Sequence, residues 1–164
     1  MDAIMAIKTR CSVRKFSPQP VTRAQLETLV EAGRLAPTAR NVQPWEFVAV
    51  TTRPALTPLA NLTDTGGFIA AAAACVAVFC QDTKYYLEDG CAATENILLA
   101  AAAQGLGACW VAGDKKPYAP AIARLLGAPA GCKLVALIAL GYPAGAVQPP
   151  PKRALAGLLH WEKF

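Results

Sequence analysis

The chain has 164 residues, of which 54% are hydrophobic and 16% charged, and it carries a net charge of +5. This composition is typical of one folded, core-rich domain over 1–164 and excludes a disordered chain. The basic residues do not form the long face with exposed aromatic residues that nucleic-acid binding requires, so we expect no nucleic-acid partner.

Two helices are predicted before the first strand. Asp2 can cap a short first helix, and this segment is too short and too charged to be a signal peptide, so we expect a cytoplasmic protein. A second helix begins after Thr22, which can form a capping box with Gln25, and it ends before Pro37.

Four strands and three further helices are predicted after this point. The strands cover 46–51, 74–80, 108–111 and 133–140, and the helices cover 53–61, 87–104 and 117–126. The helix 87–104 is apolar nearly all round, so we expect it to be buried on most sides. The apolar run 68–80 is too short to cross a bilayer, so we expect no membrane partner. This order of elements favours an α+β fold in which helices flank a central sheet.

The C-terminal stretch differs in composition from the rest of the chain. Three consecutive prolines within 144–153 exclude a regular core element, and 155–164 regains apolar residues. We therefore expect 144–164 to form an extended arm that packs on a partner subunit.

The six cysteines form no CxxC pair, and His160 is the only histidine. A zinc or iron–sulfur site is therefore not expected. Most of the cysteines lie in apolar runs, which predicts small buried hydrophobic residues in a reducing compartment.

Two polar segments near the N-terminus could bind a ligand. Arg10, Cys11, Ser12 and Arg14 lie in one basic loop, whose guanidinium, hydroxyl and N–H groups suit a phosphate; a solvated basic loop would have the same sequence. The segment 36–45 offers the amides of Asn41 and Gln43, which suit the polar edge of a heterocycle or simply face water. Each segment alone leaves both interpretations open.

Two further segments lie later in the chain. The glycines of 105–113 permit close approach of the backbone to a flat ligand, although they also suit a helix end followed by a strand. Lys152 and Arg153 could return to a phosphate group or belong to a basic tail.

Together and in this order, these segments resemble the nitroreductase family of FMN-dependent oxidoreductases in its short form. The motifs that carry the resemblance are TRCSVRKF, APTARNVQPWEF, GLGACWVAG, LGYP and PKR. The resemblance implies an α+β sandwich with a mostly antiparallel sheet, forming an intertwined homodimer with FMN bound at the subunit interface. It also implies ping-pong hydride transfer from NADH or NADPH to nitroaromatic, quinone or similar small acceptors, with neither a catalytic side chain nor a metal.

The resemblance further implies which residues bind FMN. Arg10, Ser12 and Arg153, with Lys152, would face the phosphate and ribityl chain, and Cys11 belongs to the same block. Arg14 would reach the pyrimidine side of the flavin, and the backbone of Ala112 and Gly113 would approach flavin N5. The other subunit would contribute Pro37, Thr38, Ala39 and Asn41, and Gln43 lies in the same loop.

The chain departs from the usual family pattern at several positions. Cys11 stands where a basic residue or histidine is more frequent, and Ala39 replaces a frequent hydroxyl residue. The segment 66–69 lacks the amide or basic side chain that many members carry there, and no inserted lid segment is present. Two alternatives therefore stay open: an FMN enzyme of another branch, for reductive dehalogenation or flavin oxidation, and a non-catalytic FMN-binding redox sensor.

Overall fold

The computed structural model describes residues 1–164, which form five α-helices and four β-strands. In chain order the elements are α1 (Ala3–Thr9), α2 (Arg23–Arg34), β1 (Trp45–Val50), α3 (Arg53–Leu62), β2 (Ala74–Gln81), α4 (Tyr86–Ala103), β3 (Gly107–Ala112), α5 (Ala119–Leu125) and β4 (Cys132–Gly141). Three short 3-10 helices cover Ala39–Asn41, Gly67–Ala71 and Leu155–Gly157.

The four strands form one antiparallel sheet in the order β1-β2-β4-β3. The central strands β2 and β4 are buried along almost their whole length, which explains their continuous apolar sequences. A β-bulge between Val78 and Phe79 shifts the register of this central pair. β1 and β3 are the edge strands, so each has one side that no neighbouring strand covers.

Helices cover both faces of the sheet. On one face, α2 and α4 bury residues such as Leu29 and Ile97 against Val76 and Ile138. On the other face, α3 and α5 bury their apolar sides against residues that include Phe79. Each fully buried large aliphatic side chain contributes about 1.5–3 kcal/mol to stability. This arrangement confirms the predicted α+β fold with a helix-flanked antiparallel sheet.

The capping box predicted at the start of α2 is present. The Gln25 backbone N–H donates to the Thr22 hydroxyl at 3.2 Å, and the Thr22 N–H donates to the Gln25 side-chain oxygen at 3.0 Å. The Gln25 amide also donates to the Tyr142 hydroxyl at 3.0 Å, which connects α2 to the segment after β4.

Helix α4 is covered unevenly around its circumference. One side, with Ala93, Ile97 and Ala101, is fully buried against the sheet and α2, whereas Ala92 and Leu99 on other sides are only partly covered. Only Glu88 and Ala103 are exposed, so within one chain the helix is fully buried on one face and partly covered on the others. The reason is that the sheet and the neighbouring helices cover only part of the circumference of α4.

The C-terminal segment 144–164 contains one turn of 3-10 helix and is exposed throughout. Its large apolar side chains are exposed. The solvent accessibilities of Leu155, Trp161 and Phe164, relative to the reference value for each residue type, are 71%, 75% and 105%. Separately, none of the helices combines the length and hydropathy that a bilayer-spanning helix needs.

Candidate functional site

The basic N-terminal loop runs along the open edge of β3. The Val13 N–H donates to the Ala108 carbonyl at 2.9 Å, and Ser12 forms an isolated parallel bridge with Ala108. Val13 is buried, and a Cβ on Gly107 would lie only 2.8 Å from its side chain, so this close approach requires glycine. Because the Val13 side chain points inward, Ser12 and Arg14 on either side of it are exposed.

These exposed residues line a polar cavity of about 290 Å³. The lining residues are Arg10, Cys11, Ser12, Arg14, Val147, Gln148, Pro150 and Lys152. They include three cations and a hydroxyl but no carboxylate, and this donor set suits a phosphate dianion. The cavity therefore fits the FMN phosphate group that the sequence predicts here.

Arg153 is placed differently from the other predicted cations. Its guanidinium donates to the Gly157 carbonyl at 3.0 Å within the C-terminal segment, and it does not line the cavity. Lys152 is the C-terminal cation that the structure brings to the N-terminal loop.

Two contacts orient the arginines of this cavity. The Arg10 guanidinium lies 3.3 Å from the Glu95 carboxylate on α4. The Arg14 guanidinium lies over the Phe68 ring, 5.8 Å from its centroid, in a cation–π contact. Phe68 belongs to the glycine-rich segment that departs from the family pattern, and it therefore contacts Arg14 where an amide or basic side chain is more usual.

The far end of β3 presents a free backbone N–H group. The Gly113 N–H donates to the Val135 carbonyl of β4 at 2.9 Å, whereas the Ala108 carbonyl faces the open edge and accepts from Val13. In an antiparallel pair, alternate residues direct their polar groups toward the neighbouring strand. Ala112 therefore directs its N–H to the open edge, about 13 Å along the strand from Ala108. This position suits the predicted approach to flavin N5.

The backbone around Ala112 is held on both sides. The buried Tyr118 hydroxyl donates to the Ala112 carbonyl. Gly113 is buried, and a Cβ there would lie 2.5 Å from Leu134 Cγ, so the close packing requires glycine. These contacts fix the direction of the Ala112 peptide groups.

The second predicted segment, 37–43, is anchored on the first turn of α4. The buried Asp89 carboxylate accepts from the Thr38 hydroxyl at 2.9 Å and from the Ala39 N–H at 3.1 Å. The Thr38 oxygen in turn accepts from the Gln43 N–H at 3.2 Å. This network leaves Pro37, Asn41 and Gln43 exposed to solvent.

The same loop contains three non-glycine residues in the left-handed region. Arg40, Asn41 and Gln43 have φ values of 54°, 57° and 53°. Such conformations are costly for residues with a Cβ, and asparagine tolerates them better than most. The chain therefore accepts a conformational cost in order to give this loop its shape.

The two halves of the predicted site do not meet within one chain. No residue of 37–43 lines the cavity formed by Arg10 and Lys152. Both segments nevertheless contact α4. The segment 37–43 does so through Asp89, and the N-terminal loop does so through the Arg10–Glu95 pair. The resemblance implies that the two segments of a shared site come from different subunits, and the separate positions of the segments in one chain agree with that expectation.

The thiols of the cysteines buried in the core are not reactive. Burial raises the pKa of the Cys75 and Cys80 thiols to about 12, so both are neutral at physiological pH. Cys11 is the one cysteine that lines the polar cavity. None of the His, Cys, Asp and Glu side chains form a group of three that could hold a metal ion.

The sequence did not identify the residues that hold the predicted FMN-binding side chains in position. Asp89, Glu95 and Phe68 hold Thr38, Arg10 and Arg14, respectively. A signal for Asp89 was present, because it lies in a helix composed mainly of alanine and other apolar residues and is buried there, whereas the half-exposed Glu95 gave no such signal. A buried acid in such a helix requires hydrogen-bond donors from elsewhere in the chain.

Comparison with known proteins places this architecture in context. The model of the family described as "Nitroreductase family" matches residues 7–86 and 68–142. A provisionally named NADH dehydrogenase/NAD(P)H nitroreductase of Archaeoglobus fulgidus is 33% identical over 150 residues, which cover 87% of this chain and 86% of that protein.

Two solved structures extend the comparison. A provisionally named NADH dehydrogenase/NAD(P)H nitroreductase from Parabacteroides distasonis is 30% identical, with a TM-score of 0.94 and coverage of 99% of this chain and 98% of that chain. A provisionally named nitroreductase from Desulfovibrio desulfuricans, solved in complex with FMN, is 31% identical, with a TM-score of 0.84 and coverage of 100% and 98%. The predicted resemblance is therefore confirmed, and this chain belongs to the nitroreductase family.

Proposed function

We propose that this chain is an FMN-dependent NAD(P)H oxidoreductase that reduces nitroaromatic compounds, quinones or similar small acceptors. The observation that carries the proposal is the open edge of β3. A cationic, acid-free cavity lies at one end of this edge, and the free Ala112 N–H lies at the other. An elongated ligand with a phosphate at one end and a hydrogen-bond acceptor on a ring at the other would fit along the edge. The Desulfovibrio desulfuricans relative bound to FMN supports the identity of that ligand.

The residues of one subunit bind and orient the cofactor. Arg10, Ser12 and Lys152 would hold the phosphate, and Arg14 would face the pyrimidine edge of the ring. A cation near that edge stabilises negative charge that develops there. The Ala112 N–H would donate to flavin N5. When bound, FMN supplies the hydride-transfer chemistry, which needs no protein nucleophile.

A second subunit completes the site in this proposal. Pro37, Thr38, Ala39 and Asn41, with Gln43 of the same loop, would contact the cofactor from the partner. The partly covered sides of α4 and the exposed apolar residues of 144–164 support a homodimer, because such surfaces are rarely left in water. The C-terminal arm would then pack on the partner subunit, and the chain would form one domain over 1–164.

The two half-reactions would use the same side of the ring. The reductant binds there first, and the acceptor takes its place after the oxidised nucleotide leaves, which gives ping-pong kinetics. The polar groups described above would hold the ring in place during this exchange. A hydride carries two electrons together with its proton, so the first half-reaction would need no proton from a side chain.

The function is tested by steady-state kinetics of the purified protein. We expect a yellow dimer that oxidises NADH or NADPH in the presence of menadione or nitrofurazone, with parallel double-reciprocal plots. A protein that binds FMN but is reduced by neither nucleotide would overturn the reductase proposal and favour a redox sensor. A colourless monomer that does not take up FMN would overturn the cofactor site as well.

A further inference from the structure

A second cavity lies beyond the end of β3, on the opposite side of Ala112 from the N-terminal loop. It has a volume of about 680 Å³ and begins at Asp114, the residue after Gly113. Its apolar floor is formed by small and aliphatic residues of α5 and of the start of β4, such as Ala123 and Leu134. The cavity therefore lies directly beyond the end of β3 at which Ala112 stands, between α5 and the start of β4.

The rim of this cavity is strongly cationic. Lys115, Lys116, Arg124 and Lys133 line it, and Asp114 is the only acidic residue among the lining residues. Lys133 pairs with Asp82 at 3.0 Å, and Lys115 lies 3.9 Å from Asp114. Lys116 and Arg124 form no salt bridge, so their charges are available to a bound anion.

The one carboxylate of the rim is already engaged. The Tyr86 hydroxyl donates to Asp114 at 2.6 Å, and the Lys133 ammonium lies 5.0 Å from the centroid of the Tyr86 ring. These contacts hold Asp114 against the wall of the cavity, where its side chain is only 14% exposed. The positive charges of Lys116 and Arg124 therefore dominate the open part of the cavity.

We propose that this cavity binds the phosphate groups of the reductant and favours NADPH over NADH. The inference rests on the proposed function, because hydride transfer requires the nicotinamide to lie against the flavin ring near Ala112. From that point the rest of the dinucleotide would extend past the end of β3 toward the cavity, which begins two residues later at Asp114. The 2′-phosphate of NADPH adds about 1.5–2 negative charges at neutral pH. Arginine and lysine are the residues that accommodate such a group.

The proposal is tested on the FMN-loaded protein by calorimetric titration with two adenine nucleotides. Adenosine 2′,5′-bisphosphate carries the phosphate that distinguishes NADPH, and adenosine 5′-monophosphate does not. We expect the bisphosphate to bind at least about tenfold more tightly, because charge-assisted contacts of this kind contribute about 1.5–3 kcal/mol. In steady-state assays, kcat/KM should be correspondingly higher for NADPH than for NADH.

Two variants and a control locate the binding site. Lys116→Ala and Arg124→Ala should each weaken bisphosphate binding and reduce kcat/KM for NADPH, with little effect on NADH and none on FMN content. Arg53→Ala removes an exposed cation that does not line the cavity, and it should leave both nucleotide affinities unchanged.

The outcomes separate this inference from the function on which it rests. Equal binding of the two nucleotides, or cavity variants that bind the bisphosphate like the unaltered protein, would overturn the inference even if NADH and NADPH are both oxidised. Tight, Arg124-dependent binding of the bisphosphate without any nucleotide oxidation would retain the site and overturn the reductase proposal.

Discussion

The carboxylate of Asp89, on the first turn of α4, accepts the hydroxyl hydrogen bond of Thr38 at 2.9 Å, although the two residues lie 51 positions apart. The same carboxylate accepts from the Ala39 N–H. A single buried acid thus positions the loop that the proposed dimer presents to the cofactor of the neighbouring subunit.

Asp89→Ala should both destabilise the subunit and weaken FMN binding. The substitution leaves two donors without an acceptor, which costs about 1–3 kcal/mol of unfolding free energy. Urea unfolding and FMN fluorescence titration would measure the two effects. Glu88→Ala, which alters the exposed acid next to Asp89, serves as the control. The assigned role is wrong if the two variants behave alike in both measurements.

Arg10→Ala should weaken FMN binding by about 1.5–3 kcal/mol, or roughly ten- to hundredfold in Kd, because it removes a charge-assisted phosphate contact. Unfolding free energy should change little, since the Arg10–Glu95 pair is partly exposed and such pairs contribute about 0–1 kcal/mol. Arg23→Ala, which removes an exposed cation of α2, is the matched control. An FMN dissociation constant unchanged by Arg10→Ala would reject the phosphate assignment.

Gly113→Ala should destabilise the subunit by about 1–3 kcal/mol, the usual cost of overpacking a core. The added Cβ would lie 2.5 Å from Leu134 Cγ and 3.0 Å from the Val135 carbonyl carbon, and the backbone must shift to accommodate it. Gly67→Ala, whose Cβ would meet no atom within 4 Å, is the control. Thermal unfolding would compare the two variants, and equal melting temperatures would contradict the packing argument.

Tyr86 should ionise at unusually high pH. The hydrogen bond to Asp114, followed by burial, raises the pKa of the phenol from 10.0 to about 12. Because the folded state favours the neutral phenol, its contribution to stability is complete below about pH 10 and is lost as the pH rises through about 12.

Rapid-mixing ultraviolet absorbance can follow this ionisation before the chain unfolds. Tyr86→Phe should remove the tyrosinate signal that appears near pH 12, and Asp114→Asn should shift that signal toward the ordinary tyrosine range. A titration curve that neither substitution alters would show that the hydrogen bond does not control the phenol.

The elements of the fold were largely predictable from the sequence, for local reasons. The predicted bounds of β2 and β4 are within one residue of the observed ones, because the apolar run of β2 ends at the polar Gln81 and that of β4 ends at Gly141. The start of α2 was fixed by the capping box of Thr22 and Gln25. Helix α5 begins two residues later than predicted, because Pro117 and Tyr118 form a turn in which the tyrosine reaches Ala112.

The site was less predictable, because it depends on contacts between distant parts of the chain. The sequence pattern could single out Arg10 and Lys152 as cations, but only the folded chain shows that they line one cavity while Arg153 bonds elsewhere. Likewise, the direction of the Ala112 N–H follows from the pairing of β3 with β4, which no local pattern specifies.

The left-handed backbone at Asn41 determines how its side chain should be probed. Alanine at φ 57° would add a conformational penalty of about 1–2 kcal/mol that has nothing to do with ligand contacts. Glycine adopts the same torsion angles freely, so Asn41→Gly removes the amide and leaves the peptide path intact. For this stretch of the chain, glycine scanning is therefore the mutagenesis strategy that separates side-chain chemistry from main-chain geometry.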